Sequence, residues 1–138
     1  MKKSVSKIRV IYADTDALGI VYHTNYIKWF EIGRGDLFRD MGSCYAALEE
    51  RGFHLPVTEA YCQYLVPARY DQVLRLETEI EYIGRAVVRF NCEIWDEARD
   101  VKHVEGYTIH ACTTRKGKVA RIPEDIIDMI HQYNKSLE

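Results

Sequence analysis

No stretch of this chain is apolar for the roughly 18 residues that a helix needs to cross a bilayer, so no membrane insertion is expected. The opening Met-Lys-Lys-Ser-Val-Ser-Lys-Ile is basic, but no apolar core follows it, and export is not expected either. Neither sign of charge dominates. The 19 basic and 21 acidic side chains leave a net charge of -2, which builds in no global attraction to nucleic acid. Cys44, Cys62, Cys92 and Cys112 form no C-x-x-C pair, and the five histidines are scattered, so neither a disulfide framework nor a metal site is expected. The phosphate-cradling patterns G-x-x-x-x-G-K-[ST] and G-x-G-x-x-G are missing, and no cofactor is implied. Repeats, low-complexity tracts and linkers are absent as well.

What is present reads as one soluble domain spanning residues 1–138, long enough for a real core and too short for two. A composition 47% hydrophobic and 29% charged fits an ordinary globular protein and excludes disorder. Three of the cysteines lie in strand-like segments, where the thiol acts as a small buried hydrophobe. Reduced thiols point to a cytoplasmic location.

The periodicity changes along the chain. Residues 6–13 alternate as a first strand, with Ile8, Val10 and Tyr12 on one face. From about Thr24 to Met41 the stripe Tyr26, Phe30, Gly33, Leu37 and Met41 follows a 3.6-residue period and predicts a long helix. Gly42 ends it, and Ser43 is placed to cap a short second helix running to Arg51. Leu74, Leu76, Thr78, Ile80 and Tyr82 then alternate with Arg75, Glu77, Glu79 and Glu81, a half-buried strand. Val88, Phe90, Cys92 and Ile94 form another, and 57–66 and 103–115 are strand-like too. Gly84-Arg85 and Asp96–Asp100 are the expected hairpin connections, and Pro123 opens a last helix with Ile126, Ile127, Met129 and Ile130 on its apolar side. The order suggests an α+β fold with a curled sheet around one central helix, which Gly33 and Gly35 would allow to lie close. Pattern alone also admits a plain α+β sandwich. Unpartnered sheet edges predict a homo-oligomer.

The stretch from Asp14 to Tyr26 carries the chemistry. It sets two carboxylates, Gly19 and His23 on a short bridge between a strand and the long helix. A carboxylate before a helix N-terminus supplies one half of an acyl-hydrolysis site. The unpaired amides of the first helical turn supply the other, a pocket for a carbonyl oxygen. On residue type alone, the two acids could equally shape the turn through bonds to backbone amides.

D-T-D-x-x-G-x-V-Y-H from Asp14 to His23, then Tyr26 and the E-x-x-R of Glu31 and Arg34, resemble the hot-dog-fold thioesterases of the 4-hydroxybenzoyl-CoA thioesterase type. The most similar branch is that of the small bacterial acyl-CoA thioesterases associated with the Tol–Pal envelope system. P-A-R-Y-D from Pro67 to Asp71 and I-G-R from Ile83 to Arg85 fit as well, and the match runs from about residue 7 to 130. The resemblance implies a five-stranded antiparallel sheet wrapped around a central helix, active sites at a dimer interface, often within a tetramer, and hydrolysis of acyl-CoA to free acid and CoA. It places the catalytic carboxylate at Asp16.

On this reading Asp16 acts as general base on water or attacks the thioester directly, and the sequence leaves both open. His23, with Thr24, offers backbone amides to the oxyanion, and the resemblance adds an orienting or proton-transferring role for the His23 ring. Gly19 supplies a positive φ or a close backbone approach to substrate, and Tyr22 a pocket wall. Arg85, with Lys116 and Lys118, is a candidate for the CoA phosphates. Glu31 and Arg34 are expected to form an i,i+3 ion pair worth about 0.2–0.5 kcal/mol. The competing expectations are a non-catalytic acyl-binding or scaffold protein of lipid or envelope metabolism and, less well matched, a hydratase or dehydratase.

Overall fold

The computed structural model describes residues 1–136. Its first strand, β1 (Ser4–Arg9), stops short of the expected 6–13 segment. The chain bends after the fully buried Val10 into a 3-10 turn, Tyr12–Asp14, because the Asp14 carboxylate accepts the Ile11 N–H at 3.0 Å. Tyr12, expected on the inner face, is therefore exposed and meets Tyr70 edge to face.

The long helix α1 (Thr24–Asp40) matches the periodic stripe, with Tyr26, Phe30, Gly33 and Leu37 buried. Trp29, Arg34 and Phe38 are buried beside them. Gly33 is where the helix comes nearest the sheet, since a Cβ there would collide with Thr78 Oγ1. Gly42, at φ 86°, ends the helix, and the Ser43 N–H returns to the Phe38 carbonyl at 2.9 Å. Ser43 does not cap the next helix. Cys44 holds that position with no side-chain capping bond, ahead of α2 (Tyr45–Glu50).

A two-residue strand, β2 (Phe53–His54), precedes β3 (Val57–Tyr64), β4 (Val73–Ile83), β5 (Val87–Asp96) and β6 (Lys102–Ala111). Five strands form one antiparallel sheet in the order β1-β4-β5-β6-β3. The expected 103–115 strand is broken at Cys112, whose N–H bonds Ala86 and whose carbonyl accepts Ala120. Beyond it, β7 (Thr113–Thr114) pairs with β2 in a separate small sheet, which alternation alone does not reveal.

Leu74, Leu76, Thr78 and Ile80 face the core, but a register shift between Ile80 and Tyr82 turns Tyr82 outward, against expectation. Glu77, on the opposite face, is buried under Arg75, Arg99 and Lys3. The last helix, α3 (Glu124–Lys135), buries Ile126 and Ile130, with Ile127 and Met129 partly covered.

Two apolar clusters share α1. Tyr26, Trp29 and Phe30 rest on Leu74, Leu76, Ile94 and Val104, while Leu37 and Phe38 rest on Ile80, Phe90, Ile122 and Ile130. At about 2 kcal/mol for each fully buried large side chain, these contacts dominate the attachment of helix to sheet. The result is the wrapped-helix architecture that the resemblance implied.

Candidate active site

The two acids of D-T-D are separated by burial. Asp14 is buried, with one carboxylate oxygen on the Ile11 N–H and the other 3.4 Å from Lys28 Nζ. Its carbonyl accepts the Tyr22 N–H at 2.8 Å and Asn25 Nδ2 at 2.8 Å, which ties the loop to the helix start. Asp14 is a structural pin.

Asp16 is half-buried at the base of a small excursion closed by a bridge between Thr15 and Val21. Its N–H bonds the Ile20 carbonyl at 2.9 Å, and its Oδ1 accepts the Leu18 N–H at 2.8 Å. Its Oδ2 takes no hydrogen bond or ion pair among the described residues. Gly19 turns the excursion at φ 77°, a conformation that disfavours any side chain.

The helix start opens on the same loop. The Tyr22 carbonyl accepts the Asn25 N–H at 3.0 Å, and the His23 carbonyl accepts the Tyr26 N–H at 3.3 Å. The amides of His23 and Thr24 donate to no acceptor among the described residues, and they lie at the positive end of the helix dipole. The exposed His23 ring lies 4.6 Å from that of Tyr22 and 5.9 Å from that of Tyr64, whose hydroxyl donates to the His23 carbonyl at 3.3 Å. Thr24 is exposed.

A mainly apolar cleft of about 200 Å³ borders this start, lined by Ile20, Val21, His23, Tyr26, Tyr64 and His103 among others. Asp16 does not line it. The connection is its backbone bond to Ile20. Tyr64 and His103 were not picked out from the sequence. Burial and the neighbouring Cys62 push the Tyr64 phenol up to about 12, so it remains a donor at neutral pH. His103 is buried, with Nδ1 2.7 Å from the Val66 carbonyl and Nε2 unpartnered among the described residues. A histidine on the inward side of a strand was the available signal.

Comparison with known proteins decides the family. Residues 10–130 match the thioesterase-like superfamily model. The chain belongs to the hot-dog thioesterases. An acyl-CoA thioester hydrolase of Escherichia coli O157:H7, YbgC, is 37% identical over 120 residues, covering 87% of this chain and 90% of that protein. The solved DHNA-CoA thioesterase from Staphylococcus aureus superposes with a TM-score of 0.88 at 30% identity, covering 98% of this chain and 91% of its own. A hypothetical protein from Thermus thermophilus superposes with a TM-score of 0.89 at 32% identity, covering 99% of this chain and all of its own. This chain is therefore an enzyme of thioester hydrolysis.

Within one chain of this thioesterase, Arg85 does not join Asp16. It is exposed in the turn between β4 and β5, and Asp16 follows β1, which pairs with the far end of β4. The eleven residues of β4 separate the two by roughly 30 Å. Lys116 and Lys118 lie in the turn after β7, exposed. The expected Glu31–Arg34 ion pair does not form. Arg34 turns inward toward Thr108, while Glu31 stays at the surface. Both residues line a second, wider cleft of about 920 Å³ on the β2 and β3 side of α1. Among the described residues no three His, Cys, Asp or Glu side chains gather as a metal site, and no helix is long and apolar enough to cross a membrane.

Proposed function

We propose that this thioesterase hydrolyses acyl-CoA to free acid and CoA, with Asp16 as the catalytic carboxylate and the amides of His23 and Thr24 as the oxyanion pocket. The observation that supports it most is the pair of unpartnered amides at the start of α1, on the loop that carries Asp16 and beside an apolar cleft. The E. coli and S. aureus relatives are named for CoA thioesters, which supports CoA as the thiol. The thioester carbonyl enters between carboxylate and amides. As the carbonyl carbon becomes tetrahedral, the charge on its oxygen is met by donors already oriented by the helix. Loss of one such donor typically costs about 3–4 kcal/mol of transition-state stabilisation. The free Oδ2 of Asp16 either draws a proton from water or attacks the carbon itself, giving a mixed anhydride that water then opens. CoA leaves as the thiol, and no cofactor beyond the CoA of the substrate is used. Gly19 keeps the loop tip clear of substrate, and Tyr22 with Thr24 walls the entrance.

The working unit is a homo-oligomer, a dimer or a tetramer, built on the β3 edge. One side of β3 pairs with β6, while the other is open and flanked by the exposed Val57, Tyr61, Tyr64, Leu65 and Val66, an edge that invites a second copy. Antiparallel pairing about a twofold axis would bring the Tyr64 end, with the His23 notch, beside the Val57 end of the other copy. The wide cleft and Arg85 belong to that end. Arg85 then serves the CoA phosphates of the neighbouring copy's site. The four free cysteines fit work in the reducing cytoplasm.

Thiol release from short-chain, long-chain and aromatic acyl-CoA, measured beside Asp16→Asn and Asp16→Ala, tests the reading. The expected result is turnover by the parent and at least a hundredfold loss in both variants, with unchanged unfolding midpoints. Variants as fast as the parent would remove Asp16 from the chemistry. Tight binding without turnover across the whole panel would instead identify a non-catalytic acyl-binding protein.

A further inference from the structure

The wide cleft beside α1 contains a cation for which the reaction above has no use. Arg34 is 6% exposed, and no carboxylate pairs with it among the described residues. Its Nη1 reaches Thr108 Oγ1 only at 3.4 Å, and its Nε is sealed from solvent with no acceptor. The Tyr45 hydroxyl is sealed from solvent as well, and the same guanidinium is its charged hydrogen-bonding neighbour.

The surrounding polar groups fix the direction of this chain of bonds. His110 Nδ1 lies 2.8 Å from the Leu55 carbonyl, which can only accept, so Nδ1 carries the proton. His110 Nε2 then accepts from the Thr108 hydroxyl at 2.9 Å, and the Thr108 oxygen turns a lone pair to Arg34. Burial first, and Arg34 second, hold His110 down at about 4, so it is neutral at physiological pH and brings no competing charge. Every group in the relay is occupied, and Arg34 and Tyr45 line the cleft with no carboxylate bound to either among the described residues.

A guanidinium withdrawn from water without a counter-charge is unfavourable, and its planar fork matches a carboxylate. Glu31 and Glu49 also line the cleft, but both are exposed and neither reaches Arg34. The depth of the cation favours a small planar anion on a slender chain over the bulky phosphates of CoA, which Arg85 and the surface lysines suit better.

We propose that Arg34 and Tyr45 form a subsite for the far end of the acyl group, selecting chains that end in a carboxylate over chains of equal length that end in a methyl. The proposal rests on the acyl-CoA reading and on the β3 pairing that sets this cleft beside the neighbouring copy's Asp16. The favoured substrates are then monothioesters of dicarboxylic acids.

The test compares kcat/KM for succinyl-, glutaryl- and adipyl-CoA with butyryl-, pentanoyl- and hexanoyl-CoA, in the parent and in Arg34→Met, Arg34→Lys and Tyr45→Phe. Binding of the matching thioethers, in which a methylene replaces the carbonyl, is measured by calorimetry. At the best length the parent should favour the carboxylate-ended chain at least tenfold. Arg34→Met should abolish or invert that ratio, and Arg34→Lys should keep part of it. A parent that prefers the methyl-ended chain at every length overturns the subsite. So does a ratio that Arg34→Met leaves unmoved, and if that change also weakens the dimer, the guanidinium belongs to the subunit interface. Should Arg34→Met fail to fold, the parent ratio and the Arg34→Lys and Tyr45→Phe ratios decide. If no acyl-CoA is hydrolysed, the acyl-CoA reading fails, and the thioethers still judge the subsite. A carboxylate preference lost with Arg34 supports it, and equal binding of the two thioethers refutes it.

Discussion

Replacing Glu77 by glutamine removes one negative charge from beneath three cations while keeping the side chain's shape. Arg99 holds the carboxylate through Nε at 2.6 Å and Nη2 at 3.1 Å, Arg75 Nε adds a bond at 2.8 Å, and Lys3 Nζ lies at 3.3 Å. Burial on its own would raise the pKa, but the bonds from Arg99, Arg75 and Lys3 prevail and hold the carboxyl at about 2, against 4.5 for a free glutamate. A lowering of that size corresponds to about 3 kcal/mol of native-state stabilisation. Solvent around the partly exposed Arg99 and Arg75 reduces it to about 2 kcal/mol. Because the native carboxyl ionises at lower pH than the unfolded one, the contribution is complete above about pH 5 and is lost as pH falls toward 2. Urea unfolding of the parent and Glu77→Gln at about pH 7, 5, 4 and 3 checks this. The gap in unfolding free energy should be about 2 kcal/mol at neutral pH and shrink to about 1 kcal/mol or less near pH 3. A gap that stays constant with pH would refute the argument, as would one below about 0.5 kcal/mol at neutral pH, the scale of an ordinary surface change.

Asp14→Ala should cost about 1–2 kcal/mol of stability, because it releases the Ile11 amide and Lys28, whereas Asp16→Asn should leave the unfolding midpoint in place. Chemical denaturation of the two variants side by side separates the pin from the proposed catalyst. Gly106→Ala should cost about 2 kcal/mol or more and loosen the proposed dimer, since the new methyl would strike the Tyr61 carbonyl and come within 3.0 Å of Phe30 Cε2. Unfolding and sedimentation report both effects, and a change below about 0.5 kcal/mol would mean that β3 moves aside freely.

The long helix and the central strands were legible because their apolar residues keep a single period over many residues. The predicted Thr24–Met41 differs from the observed Thr24–Asp40 by one residue. Local polar bonds caused the misses. Asp14 captured the Ile11 amide and ended the first strand early, and the Ile80–Tyr82 register shift moved Tyr82 to solvent. Cys112 split what looked like one strand. At the candidate site, the positive φ of Gly19 and the helix start at His23 could be read from a contiguous motif. Tyr64 and His103 could not, because they reach the helix start from two other strands and only folding brings them there. Arg34 was misread for the opposite reason. Three-residue spacing from Glu31 favours a surface pair, and nothing local shows that the guanidinium points into the protein.

The two apolar clusters under α1 give the molecule a division of labour. The loop bearing Asp16 is seated at one end of the rod, and α3 is clamped at the other, with the sheet and the rod itself as the links between them. Early thermal fraying around α3 would thus leave the Asp16 loop seated and be felt first at the end that carries Tyr45 and Arg85.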